Sequence, residues 1–183
     1  MLEAELGDAQ PKDWIARARE RGAELVWLHT NADLAAYGFE SFPGYLRLRS
    51  ENPPHGQELP RLEPEHFAAT QDAAFRGLWG HKLVAPGAEP PPGALVLGLY
   101  EGGEPIGLCT VFPAERLVDG PGLVAGARDP ALYQRLLLGA CAALGSGAID
   151  LDSWGDDSSV IACYEALGFT AVERSGGWQL HLD

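Results

Sequence analysis

Apolar residues recur along the chain with two periods, and each change of period marks a new element. In PKDWIARARERG (11–22), Trp14, Ile15 and Ala18 fall on one face, opposite Arg17, Arg19, Glu20 and Arg21. That spacing predicts a short amphipathic helix stopped at Gly22. AELVWLHT (23–30) reads as a strand, ADLAAY (32–37) as one helical turn, and YLRLRS (45–50) alternates as a strand does. ENPPHGQELPRLEPE (51–65) sets four prolines among polar residues, which prevents regular structure and reads as a linker.

Beyond the linker, PEHFAATQDAAFRGLWGH (64–81) carries Phe67, Ala74, Phe75 and Leu78 at helical spacing, and APGAEPPPG (85–93) breaks it. ALVLGLY (94–100) and PIGLCTVF (105–112) are apolar strands joined by the tight-turn sequence Glu101-Gly102-Gly103-Glu104. RLVDGPGLVAGA (116–127) predicts a further strand, interrupted at Gly120-Pro121-Gly122 by a bulge or a turn. From Asp129 the period is helical, with Leu132, Leu136, Leu137, Ala140, Cys141 and Leu144 in one stripe. GAIDLDSW (147–154) reads as a strand, DDSSVIACYEALG (156–168) as a helix, and FTAVERS (169–175) with GWQLHL (177–182) as a final pair of strands. Asp156, Asp157 or Ser158 can cap that helix and Gly168 supplies its left-handed stop. Val160, Cys163, Tyr164 and Leu167 share a face, which turns Tyr164 toward the sheet.

The end of the chain has an echo near its start. In each, a helix is followed by Gly-Ala (22–23, 147–148), a strand, a turn bearing Asp or Asn, a tyrosine, Gly-Phe (38–39, 168–169) and a strand that opens GYLRLR or GWQLHL. The chain thus holds one whole unit and the back half of another.

The element order of residues 64–183, with YEALGF (164–169) preceded by DSWGDDSS (152–159) at a strand end, resembles the GNAT superfamily of N-acetyltransferases. The resemblance implies an α/β (α+β) acyl-CoA N-acyltransferase fold, a mixed, mostly antiparallel sheet flanked by helices. It divides the chain into a partial GNAT-like half-domain (1–50), the proline-rich linker (51–63) and a GNAT-like domain (64–183). It implies acetyl transfer from acetyl-CoA to the amine of a small molecule, with Tyr164 as the acid beside the thioester sulfur and no metal. The competing assignment for Tyr164 is a core aromatic with a locally bonded hydroxyl. Tyr37, which abuts Gly38-Phe39 without room for the usual helix, reads as structural.

The family's cofactor signature, Arg-Gly-x-Gly-x-Gly or Ala at the start of the central helix, is not present. GARDPALYQ (126–134) puts Asp129, Pro130, Ala131, Leu132, Tyr133 and Gln134 in that place. Pro130 removes an N–H donor and Asp129 adds negative charge, whereas both are good residues for starting a helix. Cofactor contacts are expected instead from backbone amides at Val124, Ala125 and Gly126, with Arg128 facing a phosphate. Glu115 and Asp119 are the local carboxylates for a general base. The alternative to catalysis is a structural or interaction module that has lost its pyrophosphate loop.

Charge narrows the partners. Thirteen Lys and Arg stand against 26 acids, for a formal charge of −13, a field that repels nucleic acid and anionic membrane surfaces. The sequence has neither an apolar run of transmembrane length nor an export-like N-terminus, so a cytoplasmic location is expected. Cys109, Cys141 and Cys163 lie in apolar stretches and read as buried free thiols, and the five histidines show no metal-ligand spacing. Strands from residues 23–50 cannot build a core alone, so they are expected to pack on residues 64–183 or on another chain, a homodimer being one outcome.

Overall fold

The computed structural model describes residues 10–76 and 84–182. Helix α1 (Pro11–Glu20) precedes β1 (Leu25–His29), a 3-10 turn at Ala35–Tyr37 and β2 (Glu40–Ser50). Helix α2 (Pro64–Phe75) leads to β3 (Leu95–Glu101), β4 (Glu104–Phe112), β5 (Leu117–Leu123), a second 3-10 turn at Ala125–Ala127 and α3 (Pro130–Leu144). The chain closes with β6 (Ile149–Trp154), α4 (Ser158–Ala166) and β7 (Thr170–His181). The last part of the helix expected over 64–81 lies outside the described residues. The two final strands expected from 169–182 are one continuous strand, because Gly176 and Gly177 lie within the ladder rather than in a turn.

The seven strands of the described residues form one sheet in the order β1-β7-β2-β6-β5-β4-β3, antiparallel except for the β5–β6 pair. Of the two partners expected for the strands of residues 23–50, their own chain supplies one. β2 lies between β6 and β7, and β7 lies between β1 and β2. The run β1-β7-β2-β6 therefore reads the same from either end when β1 is equated with β6 and β2 with β7. The two echoes occupy matching places in that run. Gly38 (φ +85°) and Gly168 (φ +86°) each take the left-handed conformation, and each is followed by a buried phenylalanine, Phe39 or Phe169.

Helices α3 and α4 cover one face of the sheet. Leu48, Val111, Val118, Leu123, Leu136, Leu137, Leu151 and Phe169 are fully buried between them. The stripe predicted on α3 is what faces the sheet. On the other face, α2 packs Phe67 and Ala74 against Val96 and Leu108. The proline-rich segment forms no helix or strand of its own, but it is held down. Gly56 N–H donates to Leu138 O (3.0 Å), Leu62 N–H to Val96 O (2.9 Å), and Gly98 N–H to Pro60 O (2.9 Å). The end of α3 is capped from a distance by Arg116, whose guanidinium donates to the carbonyls of Leu144, Gly145, Ser146 and Ala148.

Candidate active site at the divergence of β5 and β6

Strands β5 and β6 pair over only three positions, Leu117 with Asp150, Val118 with Leu151 and Asp119 with Asp152. The cause of the early parting is in β5. Between the pairs Thr110–Asp119 and Leu108–Gly122, two residues of β5, Gly120 and Pro121, stand opposite the single Cys109. This is the interruption predicted at Gly120-Pro121-Gly122, and it is a bulge. Gly120 accepts it with φ +45°, and the extra residue bends β5 away from β6. Beyond Asp119 and Asp152 the two strands leave a gap.

The strand faces at the gap are set by alternation. β2 carries Tyr45, Arg47 and Arg49 on one face, and they register against Trp154, Asp152 and Asp150 of β6. Arg47 grips Asp152 with two bonds (Nε–Oδ1 2.7 Å, Nη2–Oδ2 2.8 Å), and Tyr45 Oη donates to the same carboxylate at 2.9 Å. The Tyr45 and Trp154 rings lie 4.6 Å apart, and His29 meets Trp154 edge-on at 5.5 Å. The His29 Nδ1 is buried without a hydrogen-bond partner, and burial lowers the pKa of its ring. Trp154 reaches across the gap on this face, its indole N–H donating to Asp119 Oδ1 at 3.0 Å. Burial raises the pKa of Asp119. The Trp154 bond opposes that shift, the Asp152 charge adds to it, and Arg47 opposes it.

On the helix-covered face, Tyr133 of α3 and Tyr164 of α4 are buried in the core that β5 and β6 share. Tyr164 is fully buried, as its helix face predicted, and its hydroxyl donates to Asp156 Oδ2 at 3.3 Å. Burial, then the Asp156 charge, hold its proton far more tightly than in a free phenol. Asp156 also accepts from Ser153 Oγ at 2.7 Å, and burial pushes its carboxyl up to about 6 against the opposing pull of these bonds. The cap of α4 is Asp157, which accepts from the amides of Ser159 and Val160; Asp156 is free of that duty.

The expected cofactor contacts are only partly available. Val124 N–H is spent on Ile106 O (3.0 Å). The Arg128 guanidinium is held by backbone carbonyls, donating to Leu123 O (3.3 Å), Ala74 O (3.1 Å) and Arg76 O (3.1 Å). Ala125 and Gly126 are exposed at the start of their 3-10 turn, where first-turn amides lack intrahelical partners. At α3 the Asp129 carboxylate caps the helix through Ala131 N–H (2.8 Å), and Pro130 has no N–H to offer. A pyrophosphate would meet a carboxylate where the family offers open amides, so the residues as they stand do not fit that part of an acyl-CoA. Glu115 lies exposed in the turn at the far end of β5, away from the gap. Cys109 and Cys141 are buried as expected, with their thiols pushed up to about 12 by burial; Cys163 is only half-buried.

Several residues of this site carry no role in the sequence reading: Tyr45, Arg47, Asp152, Trp154 and Tyr133. A signal for the first four was present. YLRLRS and IDLDSW alternate with complementary charge, Arg-x-Arg against Asp-x-Asp, as two neighbouring strands would. Tyr133 had none, because one more aromatic on an apolar helix face looks like core.

No protein-family profile matches the chain, and no curated protein matches it. Solved structures do. A GCN5-related N-acetyltransferase from Sphaerobacter thermophilus superposes with a TM-score of 0.61 at 13% identity, over 93% of this chain and 65% of that one. A GCN5-related N-acetyltransferase from Kribbella flavida gives 0.54 at 14%, over 91% and 71%. A tandem GNAT protein from the clavulanic acid biosynthesis pathway gives 0.52 at 15%, over 91% and 67%. The protein has the GNAT N-acetyltransferase fold, and it spans about two thirds of the length of these structures.

Proposed function

We propose that the protein is an acetyltransferase-like N-acyltransferase that acts on the amine of a small, cationic molecule. The observation that carries this reading is the bulge-driven parting of β5 from β6 with the partly buried carboxylate of Asp119 at its lip. An amine reaches neutral solution as an ammonium, and it becomes a nucleophile only after losing a proton. Asp119 can pair with that cation and take the proton, and its raised pKa makes it a better base than an exposed aspartate. The surplus of acids draws cations toward the surface, and Tyr45 and Trp154 wall the same face. The fold implies acetyl-CoA as the acyl source. No proton step is assigned to Tyr164, whose hydroxyl already serves Asp156.

A second reading, a binding or structural module without catalysis, is favoured by one observation: Asp129 caps α3, and Arg128 is bound to backbone carbonyls, where the family's pyrophosphate loop would stand. Thiol release from acetyl-CoA in the presence of a panel of primary amines separates the two. The acyltransferase reading expects turnover that Asp119→Asn lowers by about 100-fold or more in kcat/KM. Because the base must be ionised, kcat/KM should rise with pH through a pKa above the usual aspartate value. Turnover with none of the amines would favour the module, and a variant as active as the wild type would remove Asp119 from the reaction.

A further inference from the structure

We propose that Trp154 is a positioning residue for the Asp119 carboxylate, and that the N-terminal strands β1 and β2 serve the site by holding Trp154 in place. This rests on the acyltransferase reading for the role of Asp119 as base.

The need for such a residue follows from the backbone. Asp119 is the last residue of β5 in register with β6, and the bulge at Gly120 and Pro121 follows it directly. β6 continues through Ser153 and Trp154 without pairing to β5. What keeps that end of β6 extended is β2, on its other side. Trp154 pairs with Tyr45, and Gly155 N–H donates to Gly44 O at 3.2 Å. Side chains two apart on a strand share a face, so Trp154 stands on the face of Asp152, whose partner on β5 is Asp119.

From there the indole leans over the gap. Its N–H donates to Asp119 Oδ1 at 3.0 Å, and a Cβ placed on Gly120 would lie 3.9 Å from its Cδ1. Trp154 is 41% exposed, so burial alone does not fix it. Two rings of the N-terminal strands do: Tyr45 of β2 at 4.6 Å, and His29 of β1, edge-on at 5.5 Å. Tyr45 is itself fixed, its hydroxyl donating to Asp152 Oδ1 at 2.9 Å. The buried Nδ1 of His29 has no hydrogen-bond partner, so what His29 gives Trp154 is ring contact. The Asp119 side chain has no second hydrogen-bond donor among the described residues. The indole bond therefore fixes one carboxylate oxygen and leaves Oδ2 to meet an ammonium. There the ammonium N–H bond breaks, its electron pair stays on nitrogen, and the proton passes to Oδ2.

Carboxyl-carbon NMR of the full chain, with labelled aspartate and the Asp119 signal assigned from Asp119→Asn, tests this in wild type and Trp154→Phe. Phenylalanine keeps a ring beside Tyr45 and His29 but has no N–H, and a thermal melt of each protein verifies folding. Asp152 and Arg47, the charged groups that act on Asp119 from β6 and β2, are unchanged in the variant. A donor bound to the ionised carboxylate lowers its pKa, so losing the indole should raise the Asp119 midpoint by about one pH unit. The rise of kcat/KM with pH should move up with it. A tryptophan that merely packed beside the strand would leave the midpoint unchanged or, on admitting water, lower it; either result would overturn the inference. Turnover with an unmoved midpoint would do so and leave the acyltransferase reading standing. A raised midpoint without acetylation of any amine would uphold Trp154 as the residue that sets Asp119 and defeat the acyltransferase reading alone. His29→Ala should speed exchange of the Trp154 indole N–H with water by about tenfold or more. Exchange as slow as in wild type would overturn the role given to β1.

Discussion

Asp156 shows how one buried carboxylate links fold and site. It holds Ser153 on β6 and Tyr164 on α4 together, with the Asp157 charge raising its pKa and the Arg128 charge opposing that. Its folded pKa of about 6 lies above the ordinary aspartate value of 3.8, so the folded state binds its proton more readily than the unfolded chain. The stabilising contribution of the protonated form is complete below pH about 4 and is lost as pH rises through about 6. The shift corresponds to at most about 3 kcal/mol. Replacing Asp156 by Asn should therefore flatten the decline in stability between pH 4 and 6, as measured by urea unfolding at several pH values. An unchanged pH profile would mean the carboxyl titrates normally. The identity of Asp156 as a candidate cap was legible in the sequence, since acids before a helix are common caps. Which acid caps and which turns inward was not, because both choices satisfy the same local rule and only packing against Ser153 and Tyr164 separates them.

Among the elements, β2 is the one whose place changes the picture. Its alternating sequence predicted a strand, but a strand at the start of a chain followed by a proline-rich segment could equally have lain on an edge. In the fold it is central. Leu48 is fully buried, and β2 pairs with β6 from Tyr45 to Ser50 and with β7 over most of its length. The Arg47–Asp152 and Arg49–Asp150 pairs stitch it to β6. Leu48→Ala should cost about 2–5 kcal/mol, a core penalty rather than the small effect of an edge position. Amide hydrogen exchange at residues 45–50 should be as slow as in β6; fast exchange there would place β2 outside the cooperative core.

For the whole molecule, a single sheet that crosses from the N-terminal strands to the C-terminal ones ties both ends of the chain together. Removing β1 and β2 would expose edges of both β6 and β7, so neither part has an independent set of partners. Unfolding should follow one transition, coincident when read by tryptophan fluorescence and by far-ultraviolet dichroism. Two separated transitions would show that residues 10–50 fold apart from the rest. The charge of −13 adds self-repulsion, so moderate salt should raise that transition temperature.

By itself the sequence determined nearly every element, the bulge at Gly120-Pro121, the inward face of α4 and the resemblance to an acetyltransferase fold. These follow from local rules: period, turn chemistry, capping and a short motif whose residues are neighbours in the chain. Tertiary structure alone decided that β2 inserts between β6 and β7, that Arg128 turns to backbone carbonyls, and that Asp156 faces Ser153 and Tyr164. The physical reason is the same in each case. Strand pairing and the satisfaction of buried backbone groups are made between residues distant in sequence, and a side chain's spacing along its own element does not say which distant group it will meet.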